Sequence, residues 1–123
     1  MAKRITPAEL AELDAVLRGI AAGAEPTGRE QAAAARLVCR VLGARHPGGI
    51  LELRVPPVAA VQLGIGQRGA HTRGTPPNVV ETDAATLLRL AAGVLGWQDA
   101  VASRAVSASG PHTDLAEAFP LAG

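Results

Sequence analysis

The chain has 123 residues, with 12 basic and 11 acidic side chains and a formal net charge of +1. That length suits one domain over residues 1–123, because two cores would each be too small, and the near-neutral balance supplies no strong field for nucleic acid or an anionic membrane. Hydrophobic residues make up 48% of the chain, which excludes disorder, yet Trp97 and Phe119 are its only aromatics, so the core must be built from Leu, Val, Ile and Ala.

The start reads as a helical part, residues 1–46. Thr6-Pro7-Ala8-Glu9 has the form of a capping box with proline at the first helical position. Leu10, Leu13, Leu17 and Ile20 then recur at three and four as one apolar stripe. Gly23 stops this helix, and the residues after it read as a linker. A second helix is expected from about Arg29 to Leu42, with Ala34, Leu37, Val38, Val41 and Leu42 on one face and Arg29, Arg36 and Arg40 on the other. The glycines from Gly43 to Gly49 read as a turn cluster.

Residues 48–122 read as a sheet followed by further helices. Leu51, Leu53 and Val55 alternate with Glu52 and Arg54, the pattern of a half-buried strand. Pro56-Pro57 ends it, and residues 58–63 read as a second strand with a small-residue face. A glycine-rich loop leads to a short third strand at 78–82. Asp83 is placed to cap a helix bearing Leu87, Leu88 and Ala91, which Gly93 closes. A short helix with Trp97, Ala100 and Val101 inward comes next, then a weak strand at 105–109. The chain closes on a short helix with Leu115 and Phe119 four apart. The element order is α+β.

Motifs of known chemistry do not survive their context. Gly64, Gly66 and Gly69 match a dinucleotide fingerprint after a strand, but Gly74 and Pro76-Pro77 follow where a helix must open on the pyrophosphate. His46, His71 and His112 have no metal-binding spacing. Cys39, the sole cysteine, lies in an apolar helix face and reads as a buried, inert thiol. No catalytic residue, cofactor or metal is therefore expected. One cysteine forms no internal disulfide, and neither a signal-peptide pattern nor an apolar run of about 20 residues is present, so a soluble cytoplasmic protein is expected. The polar stretch from His71 to Asp83 has two readings. His71, Arg73, Thr75, Asn78 and Glu81 form a small polar site in which Arg73 grips an anion. Alternatively, Arg73 pairs with Glu81 and the segment is a loop feeding a strand into a helix.

The order of features from "RGTPPNVVETD" through "AATLLRLAAGVLGWQDAVASRAVSASGPHTDLAEAFPL" resembles the sterol carrier protein family, and more narrowly its small stand-alone bacterial branch. The resemblance covers roughly residues 48–122. It implies a mostly antiparallel sheet of about five strands with helices packed on one face. It also implies non-enzymatic binding of a lipid or other apolar molecule in a tunnel between the layers. The tunnel walls would be Leu51, Leu53, Val55, Val61 and Leu63 from the sheet and Leu87, Leu88, Ala91, Leu95, Trp97 and Val101 from the helices. Phe119 and Leu121 would close one end, and the His71–Glu81 group would form a polar mouth. The same residues can instead form a solid core, in a protein-interaction domain or homodimer that has no ligand. One position departs from the family's pattern: Arg104 stands where a glycine is usual after the short helix, so the turn there is expected to be strained or rearranged.

Overall fold

A computed structural model describes residues 4–65 and 78–121. Its first helix, α1 (Pro7–Ala21), begins on the expected capping box. Thr6 Oγ1 accepts the Glu9 N–H at 3.1 Å, and the Thr6 N–H donates to Glu9 Oε1 at 3.0 Å. Leu13 and Leu17 are buried, whereas Leu10, expected on the same stripe, is 46% exposed. The inward face is narrower than the stripe, so its outermost leucine stays in water.

The second helix, α2 (Gly28–Arg45), is longer than expected at both ends. Thr27 and Glu30 form a second capping box inside the stretch read as a linker, with bonds of 3.2 and 2.8 Å. At the other end the helix runs through Gly43. A Cβ there would lie 2.9 Å from Val61 Cγ2. This glycine lets α2 approach the sheet closely and does not start a turn.

The sheet has four strands among the described residues: β1 (Leu51–Val55), β2 (Ala59–Leu63), β3 (Asn78–Glu81) and β4 (Ser107–Ser109). Their order is β2-β1-β3-β4. β1 and β2 are antiparallel, β1 and β3 parallel, and β3 and β4 antiparallel. The sheet is therefore mixed, with two of its three pairings antiparallel as expected, and four of the expected five strands lie among the described residues. β4 is shorter than expected because the Val106 N–H, which a longer strand would offer to a neighbour, donates to Ala100 O at 3.2 Å.

Leu51, Leu53 and Val55 are buried, as their alternation predicts, and pair across the hairpin with Leu63, Val61 and Ala59. These six residues share one face of the sheet. α2 lies against that face, and α1 and α3 (Ala84–Ala92) pack on α2 and on each other. α3 is delimited as expected: Asp83 Oδ1 accepts the Thr86 N–H at 2.7 Å, and Gly93 ends the helix at φ 80°.

The C-terminal part departs most from expectation. α4 (Trp97–Ala102) has six residues and buries Ala100, but Val101, expected inward, is 41% exposed. One step of about 100° along a helix carries Val101 off the face centred on Ala100. The expected last helix is reduced to a 3-10 turn, Ala116–Ala118. Asp114 Oδ1 takes the Ala116 N–H at 2.9 Å and Asn78 Oδ1 takes the His112 N–H at 2.9 Å, so these donors are satisfied outside any helix. Leu115 is nevertheless fully buried, and the Leu121 N–H fastens the chain to Ala91 O at 3.0 Å.

After α4 the left-handed turn survives with arginine in it: Arg104 has φ 64°. A residue with a Cβ pays roughly 1–2 kcal/mol for that conformation. Arg104→Gly is accordingly expected to raise the unfolding free energy by about 1 kcal/mol, read from urea denaturation. An unchanged midpoint would show that the turn carries no strain.

Candidate functional site

Apart from the exposed Val101, the residues assigned to an apolar tunnel separate into three groups. Leu51, Leu53, Val55, Leu63, Leu87, Leu88, Ala91 and Leu121 are buried in one continuous core between the sheet and the helices. Leu95, Trp97 and Phe119 line a small hollow of about 320 Å³ beside Gly93 and Pro120. There the two rings stack with centroids 6.3 Å apart and planes inclined by 20°. Val61 alone of the sheet-wall residues lines a larger groove of about 1030 Å³ between α2 and the β1–β2 hairpin.

This groove is bounded by the N-terminal residues Arg4 and Ile5, by α2, and by the β1–β2 hairpin. Its walls are small: Cys39, Gly43 and Ala44 from the helix, and Val58, Ala59, Ala60 and Val61 from the hairpin. Small side chains line a space without filling it, and the Gly43–Val61 approach sets how near the two walls come. The volume stands at the top of the range of about 300–1,000 Å³ usual for small-molecule sites. Cys39 contributes an apolar surface here, since burial pushes its thiol up to about 11 and leaves it protonated at neutral pH.

Three arginines, Arg4, Arg36 and Arg40, are also among the described residues that line the groove. The sequence placed Arg36 and Arg40 on the solvent side of α2, but Arg40 is half-buried and reaches back to α1. Its Nη1 donates to Glu9 Oε2 at 2.8 Å, and its Nη2 donates to the Arg4 carbonyl at 3.3 Å. The Arg40 hydrogen bond, followed by the Thr6 backbone N–H, holds the Glu9 carboxyl at about 2, well below its ordinary value of 4.5. A depressed carboxylate stabilises the fold above the unfolded value and loses that contribution as pH falls toward the folded one. Glu9→Gln is therefore expected to lower the melting temperature at pH 6. The gap to the parent protein should close between about pH 4.5 and pH 2. A gap independent of pH would mean that the carboxylate charge is not what joins α1 to α2.

The expected polar mouth does not assemble from its described members. Asn78 is fully buried, and its side chain joins the Ile50 carbonyl (2.8 Å) to the His112 N–H (2.9 Å). Glu81, three residues on, is exposed and by strand alternation faces the opposite side of the sheet. Asn78 thus braces the fold, with both polar atoms of its side chain engaged inside the protein. His71, Arg73 and Thr75 lie outside the described residues. Sequence reasoning missed the groove's α2 wall and its N-terminal cation, Arg4. The available signal was the pairing of small residues at Cys39 and Gly43, one turn apart, with the small face of the second strand.

Comparison with known families finds a match over residues 28–121 to the model described as a bacterial SCP ortholog, where SCP denotes sterol carrier protein. The match begins at the first residue of α2, so it takes in one helix more than the resemblance seen in the sequence and leaves α1 outside. No curated protein matches the chain.

Proposed function

The chain belongs to the bacterial branch of the sterol carrier protein family, and from that premise we propose that it binds and carries an apolar small molecule, without catalysis, in the groove between α2 and β2. The observation that carries this reading is the groove itself: about 1030 Å³ with largely small, apolar walls. Burial of a ligand's apolar surface there would supply about 25 cal/mol per Å². Most of the leucines assigned to a tunnel lie buried together in one core cluster, so this reading puts the ligand at the β2 margin rather than deep between the layers. Among the described residues no helix is long and apolar enough to cross a membrane. The single buried thiol suits a reducing cytoplasm.

Native mass spectrometry of the purified protein, repeated after denaturing extraction and refolding, tests the reading. A co-purifying apolar molecule that is released on denaturation and taken up again afterwards is expected. Ala44→Trp, which adds bulk at an exposed groove position, should prevent uptake while leaving the fold intact. A ligand-free mass, with no thermal shift from a panel of fatty acids, sterols and isoprenoids, would refute it.

A second reading, a protein-interaction domain or homodimer without ligand, is favoured by one observation. Among the described residues β2 pairs on one side only, and its five residues carry no charge to guard the edge. Light scattering would then show a dimer that Ala60→Lys dissociates.

A further inference from the structure

We infer that the groove selects its ligand by charge, holding an amphiphile whose apolar tail lies along β2 and whose single carboxylate head meets Arg36 and Arg4 at the rim. This rests on the groove being the ligand site. The chain as a whole is balanced, with 12 basic and 11 acidic residues. The groove lining is not: among the described residues it holds three arginines and no acid. Of the three, Arg40 is committed to Glu9 and to the Arg4 carbonyl, which fixes the N-terminal segment against α2. Arg4 and Arg36 are exposed, and their guanidinium groups make no hydrogen bond or ion pair to any described residue. They stand beside apolar walls from Ile5, Val58 and Val61.

A planar guanidinium matches a carboxylate through two parallel N–H donors, and such charge-assisted bonds are shorter and stronger than neutral ones. The apolar wall keeps part of the solvent away from the pair and so reduces its screening. A neutral head group on the same tail receives the apolar contribution alone, and a cationic one is repelled. Because the rim arginines are exposed, the discrimination is modest, about tenfold in Kd. Arg4 lies outside the stretch shared with the family, whereas Arg36 lies within it, so half of the head-group site belongs to this chain's own N-terminal segment.

Isothermal titration of the whole chain with monomeric dodecanoate, dodecanol and dodecylammonium separates the possibilities, with acetate as the head group alone. Dodecanoate is expected to bind about tenfold more tightly than dodecanol, dodecylammonium more weakly than either, and acetate not measurably. Arg36→Gln, and more so the double variant with Arg4→Gln, should bring dodecanoate to the affinity of dodecanol while leaving dodecanol unchanged. Ala44→Trp should weaken both. Equal binding of dodecanoate and dodecanol, with no effect of Arg36→Gln but a loss on Ala44→Trp, overturns charge selection and keeps the groove as the ligand site. No binding of any tail, or binding indifferent to Ala44→Trp, overturns both. Association with anionic phospholipid vesicles without binding of monomeric dodecanoate overturns the inference too, and assigns the arginines to a membrane surface.

Discussion

Asn78→Ala is expected to destabilise the protein by about 3 kcal/mol. The side chain lies at the start of β3 with no exposed surface. Its Nδ2 donates to the Ile50 carbonyl at 2.8 Å and its Oδ1 accepts the His112 N–H at 2.9 Å. It therefore joins three segments distant in sequence: the entry to β1, the start of β3 and the chain after β4. Truncation leaves the Ile50 carbonyl without its donor beside a buried side chain, and each such loss costs about 1–3 kcal/mol. A void is added where the amide was. Asn78→Asp gives a sharper test. It keeps an acceptor for His112 but sets a carboxylate oxygen against the Ile50 carbonyl. Only the protonated acid can donate there, so the folded state raises this carboxyl's pKa above its unfolded value of about 3.9. The variant's stability is then best below that value and declines as pH rises through the raised one. Urea denaturation at pH 4 and pH 7 reads the difference. Asn78→Ala within 1 kcal/mol of the parent, by the same measurement, would restore Asn78 to the list of ligand-contacting candidates.

Gly64→Ala should cost a similar amount, about 3 kcal/mol, at the upper end of what overpacking usually does. A Cβ on Gly64 would lie 2.2 Å from Pro47 O and 3.0 Å from Gly48 Cα. Both are backbone atoms, so no rotamer change relieves the contact. The approach is held by the Gly64 N–H, which donates to His46 O at 2.9 Å, and it joins the end of β2 to the turn that leaves α2. The first glycine of the apparent dinucleotide fingerprint thus has a packing reason unrelated to phosphate. Gly28→Ala is the matched control, because nothing lies within 4 Å of a Cβ there. Thermal melts should show a large drop for Gly64→Ala and almost none for Gly28→Ala. Equal, small effects in the two would mean that the His46–Gly48 turn moves freely away from β2.

Elements whose signals lie in consecutive residues were legible before the fold was known. The Thr6–Glu9 box, the β1 alternation, the Asp83 cap with its Gly93 stop and the burial of Cys39 are all of this kind. Caps and periodic faces act over three or four residues, so a linear reading contains everything they need. The order of features after β3 carried enough of the family's pattern to identify the branch that the match over residues 28–121 shows. What a residue does toward partners far along the chain was decided only by the tertiary structure. Gly43 looked like a turn former and is a point of helix–sheet contact, because Val61 stands opposite. Asn78 had two readings, a member of a polar site or the start of a strand, and its role as a brace appears only because the parallel pairing of β1 with β3 puts Ile50 beside it. Arg104 keeps a left-handed turn that favours glycine, because the Arg104 and Val106 N–H groups close on carbonyls of α4. The groove lies at the β2 margin because the N-terminal segment, α2 and the hairpin converge there. Each of these depends on distances between residues separated by turns and loops, and a pattern confined to neighbours in the chain holds no record of them.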